Sequence, residues 1–217
     1  MSNQNNQIPV APFKQLAKDW DTARSSYQDT ISLVQAGSPS DFHSFNLSPN
    51  IQLLLPPSCV NVHAYMVCDP SLNNLQMVLI SDVEDLAIAN GATTIPQEAI
   101  CTLDYTTTAF PSYLPPDYLE RIDRWQNNQN VWVQAVVAAG AVNNEDGVVQ
   151  VFEIPVADLQ SVLGFDSQVF LALKTPNLVE TSVEVICYKP GGSEQFFDIS
   201  TPIPPYGGKG HKFGLLM

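Results

Sequence analysis

Apolar positions along the chain keep two rhythms, and each rhythm occurs twice. From Phe13 they fall at Leu16, Trp20, Ala23, Tyr27, Ile31 and Val34. Steps of three and four keep one face of a 3.6-residue helix apolar, so the pattern predicts one amphipathic helix over residues 13–34. The run stops at "AGSPS", where Gly37 can take a left-handed C-cap and Pro39 cannot continue a helix. A second helix is predicted after Pro115 and Pro116, with Asp117 as N-cap and Tyr118, Ile122, Trp125, Gln129, Trp132 and Val136 on one stripe. At an offset of 105 positions, Trp20 falls on Trp125, Tyr27 on Trp132 and Ile31 on Val136.

The second rhythm is alternation. "FNLSPNIQLLLPP" from Phe45 and "FEIPVADLQSVLG" from Phe152 each read as a short strand and then one helical turn, carried by Ile51, Leu54 and Leu55 in the first and by Leu159, Val162 and Leu163 in the second. The strands "VNVHAYMVC" and "QVFLALK" follow, then the turns "DPSL" and "TPNL", then the returning strands "LQMVLIS" and "TSVEVIC". Leu72, Met77, Leu79 and Ile80 align without gaps onto Leu178, Val183, Val185 and Ile186, as two half-buried hairpins would require. "LDYTTTAFPSYLPP" and "FDISTPIPPYGG" close the two stretches as edge strands ending in proline pairs, which remove ladder donors. The predicted fold class is α+β, as two tandem copies of a similar two-layer unit: a long amphipathic helix packed on a small, mainly antiparallel sheet. The units span residues 11–116 and 117–206, and a flexible glycine-rich tail with an apolar end spans 207–217.

Charge narrows the partners. The chain of 217 residues has 22 acidic and 9 basic side chains, a net charge of −13. Setting Lys209 and Lys212 aside leaves 22 acids and 7 bases, or −15, on the residues through Tyr206. Such a surface repels phosphate backbones and anionic lipid, so neither nucleic acid nor membrane is expected as a partner. "MSNQNNQIPVAPF" shows no basic stretch followed by an apolar one, and "VWVQAVVAAGAV" is too short to span a bilayer, so a soluble cytoplasmic protein is expected. Cys59, Cys68, Cys101 and Cys187 form no CxxC pair and read as reduced, half-buried thiols.

Candidate chemistry is sparse, and no catalytic residue, cofactor or metal is assigned. Cys59 and His63, four apart on an extended strand, would lie about 13 Å from each other, too far for a nucleophile and its base. His63 therefore reads as a surface or edge histidine. His43, His63 and His211 show no metal-ligand spacing, and Asp82, Glu84 and Asp85 in "SDVEDL" read as a solvated turn after the hairpin. "NNEDG" places Gly147 for a tight turn before the next strand. "GGKGHKFG" lacks the preceding strand, the Lys-Ser or Lys-Thr step and the following helix of a phosphate loop.

What remains is a tail with basic Lys209, His211 and Lys212 followed by apolar Phe213, Leu215, Leu216 and Met217, a pattern suited to docking in a protein groove. The expected function is a non-enzymatic protein–protein interaction or assembly protein with an acidic surface, its partner basic or a copy of itself. Two alternatives follow from the same residues. One is an acidic inhibitor or immunity-type protein covering a basic toxin or nuclease. The other is a small-molecule binding module walled by Trp20, Tyr27, Trp125 and Trp132.

Overall fold

The alternating segments all become strands, and their pairing sets the architecture. The computed structural model describes residues 6–35, 42–50, 53, 55–108, 115–143, 148–177, 182–190, 195–198, 201–203 and 213–217. In chain order these form β1 (Gln7–Pro9), α1 (Ala11–Ala23), α2 (Tyr27–Val34), β2 (Phe42–Leu47), β3 (Asn61–Asp69), β4 (Asn74–Ser81), α3 (Asp82–Ala89), β5 (Thr94–Pro96) and β6 (Ile100–Thr108). There follow α4 (Pro116–Asn143), β7 (Val151–Pro155), α5 (Val156–Gln160), β8 (Ser167–Leu173), β9 (Val183–Lys189), β10 (Gln195–Asp198) and β11 (Thr201–Ile203). Both helices and antiparallel strands are present, so the fold is α+β. No helix among the described residues is long and apolar enough to cross a membrane.

Nine strands form one sheet in the order β10-β9-β8-β2-β6-β4-β3-β7-β11, every described pair antiparallel. Laid flat, its outer strands would be about 38 Å apart at the usual inter-strand spacing. Yet β10 ends at Asp198 and β11 begins at Thr201, and three Cα steps reach about 11 Å at most. The two edges must therefore meet, and β9 and β11 do approach each other. The sheet is bent almost into a barrel.

Side-chain alternation separates an enclosed face from an outer one. Ala64, Met66, Met77, Leu79, Phe45, Phe152, Leu171 and Val185 point into the main core, where Trp20, Trp125 and Trp132 join them. Tyr65, Val67, Val78, Ile80 and Ile100 lie on the opposite face under α1, α3 and the last residues of the chain. Phe170, Ala172, Ile186 and Tyr188 lie under the start of α4. There Arg121, on α4, donates through Nε to Glu184 on β9 at 2.5 Å, both residues being buried. Part of the outer side of β2, β4 and β6 is polar, with Asn46 bonded to Thr106 at 2.6 Å and Gln76 to Asp104 at 2.7 Å.

Several expectations need correction. The strands do not make two small sheets; all nine join one sheet, because β3 pairs with β7 and β2 with β8. The hairpin strands are buried on both faces rather than one. Leu72 sits in the turn, exposed. β6 is an interior strand between β2 and β4 rather than an edge. The first long helix is broken in two at residues 24–26. Ser25 bonds back to the Thr22 carbonyl at 2.7 Å, Ser26 caps α2 through Asp29 N, and Thr30 Oγ1 reaches the Ala23 carbonyl at 3.1 Å. Such short polar side chains compete with helical hydrogen bonds, and here three of them act across the break. The second helix is continuous, and Asp117 lies inside its first turn, 3.4 Å from Arg121, not at its cap. Gly37, Pro39, Ile51, Leu54, Gly147 and Leu178 lie outside the described residues.

Trp20 ties α1 to the enclosed core twice, by its buried ring and by its Nε1–H to the Val149 carbonyl at 3.0 Å. Trp20→Ala should lower unfolding free energy by about 3–5 kcal/mol in urea titration, whereas Leu72→Ala should stay within about 0.5 kcal/mol.

Candidate functional site

A polar cluster is buried where β3, α3 and the last residues meet. His63 and Tyr65 are two apart on β3, so both project to its outer face. α3 begins at once after β4 because Ser81 caps it, its hydroxyl accepting from Glu84 N at 3.2 Å. Asp82 fastens that first turn to the start of β3, its Oδ2 accepting from Val60 N at 3.2 Å and Asn61 N at 3.0 Å. One turn in, Asp85 faces the sheet with no solvent exposure. Its Oδ2 accepts from the Tyr65 hydroxyl at 2.5 Å and lies 2.7 Å from His63 Nδ1. With Asp85 ionised, Nδ1 carries the proton and donates. Asp85 Oδ1 accepts from Gly214 N at 3.0 Å. Burial first, and then the Asp85 carboxylate, hold the Tyr65 phenol well above its ordinary value, so it remains a donor.

Two expectations are overturned at this place. Asp82, Glu84 and Asp85 are not a solvated turn but the first turn of a capped helix, with Asp85 fully buried. His63 is not a surface residue; it is buried between Asp85 and Phe213. Its Nε2 faces Glu153 Oε1 at 3.8 Å, and Glu153 also accepts from Asn61 Nδ2 at 3.1 Å. His63 and Cys59 do not act together. The Cys59 thiol donates to the Asn61 carbonyl at 3.1 Å, and burial, then Asp82, push it up to about 11.

Phe213–Met217 of the tail lie against the chain's own body. The Phe213 ring meets His63 edge-on at 5.0 Å between centroids and Tyr65 at 6.2 Å. Leu215 is buried with Val10, Ala17 and Ile88, while Leu216 and Met217 are more exposed. Gly214 fits because it has no side chain: a Cβ there would meet the Asp85 carbonyl oxygen and come within 2.7 Å of Ile88 Cβ. Lys14 Nζ donates to the Met217 main-chain oxygen at 2.9 Å. Lys209, His211 and Lys212 lie outside the described residues. The four aromatics offered as pocket walls belong to one core: Trp20, Trp125 and Trp132 are buried in it, the last two with rings 5.7 Å apart, and half-buried Tyr27 packs against it with its hydroxyl 3.5 Å from Asn130.

The sequence singles out Phe213–Met217 as an apolar stretch but does not disclose the groups of the body they lie against. The signal was present as the capping pattern Ser81-Asp82-Val83-Glu84, which announces a helix start, and as the i, i+2 placement of His63 and Tyr65. No protein-family model, curated protein or solved structure matches the chain.

Four expected outcomes follow. Asp85→Asn should cost about 1.5–3 kcal/mol in urea titration, because the charged acceptor of a buried network is lost. Gly214→Ala should expose residues 213–217 to carboxypeptidase while the sheet's thermal transition persists. Burial pushes the thiols of Cys68 and Cys101 up to about 12 and Cys187 higher still. At pH 8 the folded protein should therefore react only slowly with Ellman's reagent, and all four thiols quickly in guanidinium. Because the unfolded thiols ionise first, stability should fall as pH rises above about 9.

Proposed function

We propose that this chain is a non-enzymatic interaction or assembly protein, and that the groove between α1 and α3 is its peptide-recognition surface. The carrying observation is the seating of Phe213–Met217. An aromatic side chain, an obligatory glycine, a buried leucine and two main-chain hydrogen bonds are each matched by a fixed group on the body. That is the composition of a helix-and-loop groove that reads a short apolar peptide. His63 is built as part of that receptor: Asp85 takes one ring nitrogen, Glu153 faces the other and Phe213 covers the ring. The acidic body suits a basic partner segment, or the Lys209–Lys212 region of a second copy. The four cysteines without a disulfide support a reducing, cytoplasmic setting.

The same reading includes descent from two copies of one unit. Four strands in the first half run β2-β6-β4-β3, and those of the second run β7-β11/β10-β9-β8, the same order when β10 and β11 are counted as one broken strand. α1 lies against β3 and α4 against β8, at corresponding places. The register differs by two residues: Phe45 pairs with Val169, whereas Phe152 pairs with Ala64, the counterpart of Leu171. An even slip keeps every inward side chain inward.

A chain ending at Tyr206 should bind a labelled KFGLLM peptide saturably, and a peptide with alanine in place of Gly214 at least about tenfold more weakly. Fluorescence anisotropy on the folded, shortened chain decides this. No saturation, or equal affinity for both peptides, would overturn the reading.

A further inference from the structure

We infer that the seated residues Phe213, Gly214 and Leu215 are an intramolecular competitor for the groove, so that the closed chain is autoinhibited toward outside peptides. This rests on the reading of the groove as a peptide-recognition surface. β11 brings the chain to within two strands of the groove. Ile203 pairs with Val151, and Val151 with Tyr65, so the Cα atoms of Ile203 and Tyr65 are about 10 Å apart across the sheet. The Phe213 ring meets that same Tyr65, at 6.2 Å between centroids. Nine residues, 204–212, join Ile203 to Phe213, and their ten Cα steps could reach about 35 Å. The connection has more reach than the gap requires, so the segment can occupy the groove of its own chain.

Seating also completes the polar cluster. With the segment in place, the fully buried Asp85 carboxylate accepts from Tyr65, from His63 and from the Gly214 main chain. Lifting the segment takes the Gly214 N–H away from Asp85 Oδ1 and the Phe213 ring away from His63. It also takes Leu215 from Val10, Ala17 and Ile88. A buried carboxylate stripped of one donor and apolar side chains returned to water both favour recapture. Recapture competes well because the segment is tethered. A short connection of this kind holds its end at an effective concentration on the order of 1 mM. A free peptide with a Kd of about 10 µM for the open groove would then be weakened roughly hundredfold by the closed one.

Fluorescence anisotropy with labelled KFGLLM tests this on the full chain, on its Gly214→Ala and Phe213→Ala variants, in which the groove is unaltered, and on the chain ending at Tyr206. Both full-length variants are expected to bind the peptide at least about tenfold more tightly than the unaltered full chain and to approach the shortened one. Leu72→Ala, in an exposed turn, should leave the affinity of the full chain unchanged. Equal affinity of the unaltered full chain and the shortened chain would overturn the inference while leaving peptide recognition standing, since both would bind. Weakening that appears only as protein concentration is raised would overturn it too, because the segment would then be seated on other copies. Absence of binding by the shortened chain removes the recognition reading itself, and the inference with it.

Discussion

The two-residue step from Asp198 to Thr201 constrains the whole molecule. It forces the outer strands of a nine-stranded sheet together, so β10 and β11 act as one broken strand that pairs with β9 on one side and β7 on the other. Closure removes the long open edges that two separate four-stranded sheets would have presented. It also turns one sheet face inward everywhere, which is why strands such as β3 and β9 are apolar at consecutive positions rather than alternate ones. The inward residues need each other, and the outward ones need helices.

Two outer patches receive helices, and each is pinned by buried charge. On the β8/β9 side the Arg121–Glu184 pair fixes α4; on the β3/β4 side Asp85 fixes α3 and the tail through three donors. Burying a carboxylate is unfavourable unless its lone pairs are occupied, so these contacts contribute more to a unique arrangement than to net stability. Between these patches Asn46 bonds to Thr106, and Asn74 and Gln76 bond to Asp104, on the outer side of β2, β4 and β6.

Much of the secondary structure was legible because local pattern and tertiary environment agree. Met77 and Leu79, or Val183 and Val185, alternate in sequence and do point inward together. Pairing between distant strands was not legible: nothing in "FNLSPN" says that Phe45 lies opposite Val169 rather than closing a sheet within its own half. The break at Ser25 and Ser26 was hidden for a different reason, since the apolar stripe runs through it unchanged. The candidate site depended on both failures. Asp85 looked solvated because its neighbours Asp82 and Glu84 are acidic, and only the fold shows that one turn of helix carries it to face His63 and Tyr65.

The missing side chain at Gly214 sets the alignment of residues 213–217 on the body. Moved along by one residue in either direction, the segment would bring the Cβ of Phe213 or Leu215 against the Asp85 carbonyl and Ile88. The backbone of the seated tail therefore fits in one phase only, with the hydrogen-bearing Cα of residue 214 laid against the Asp85 carbonyl.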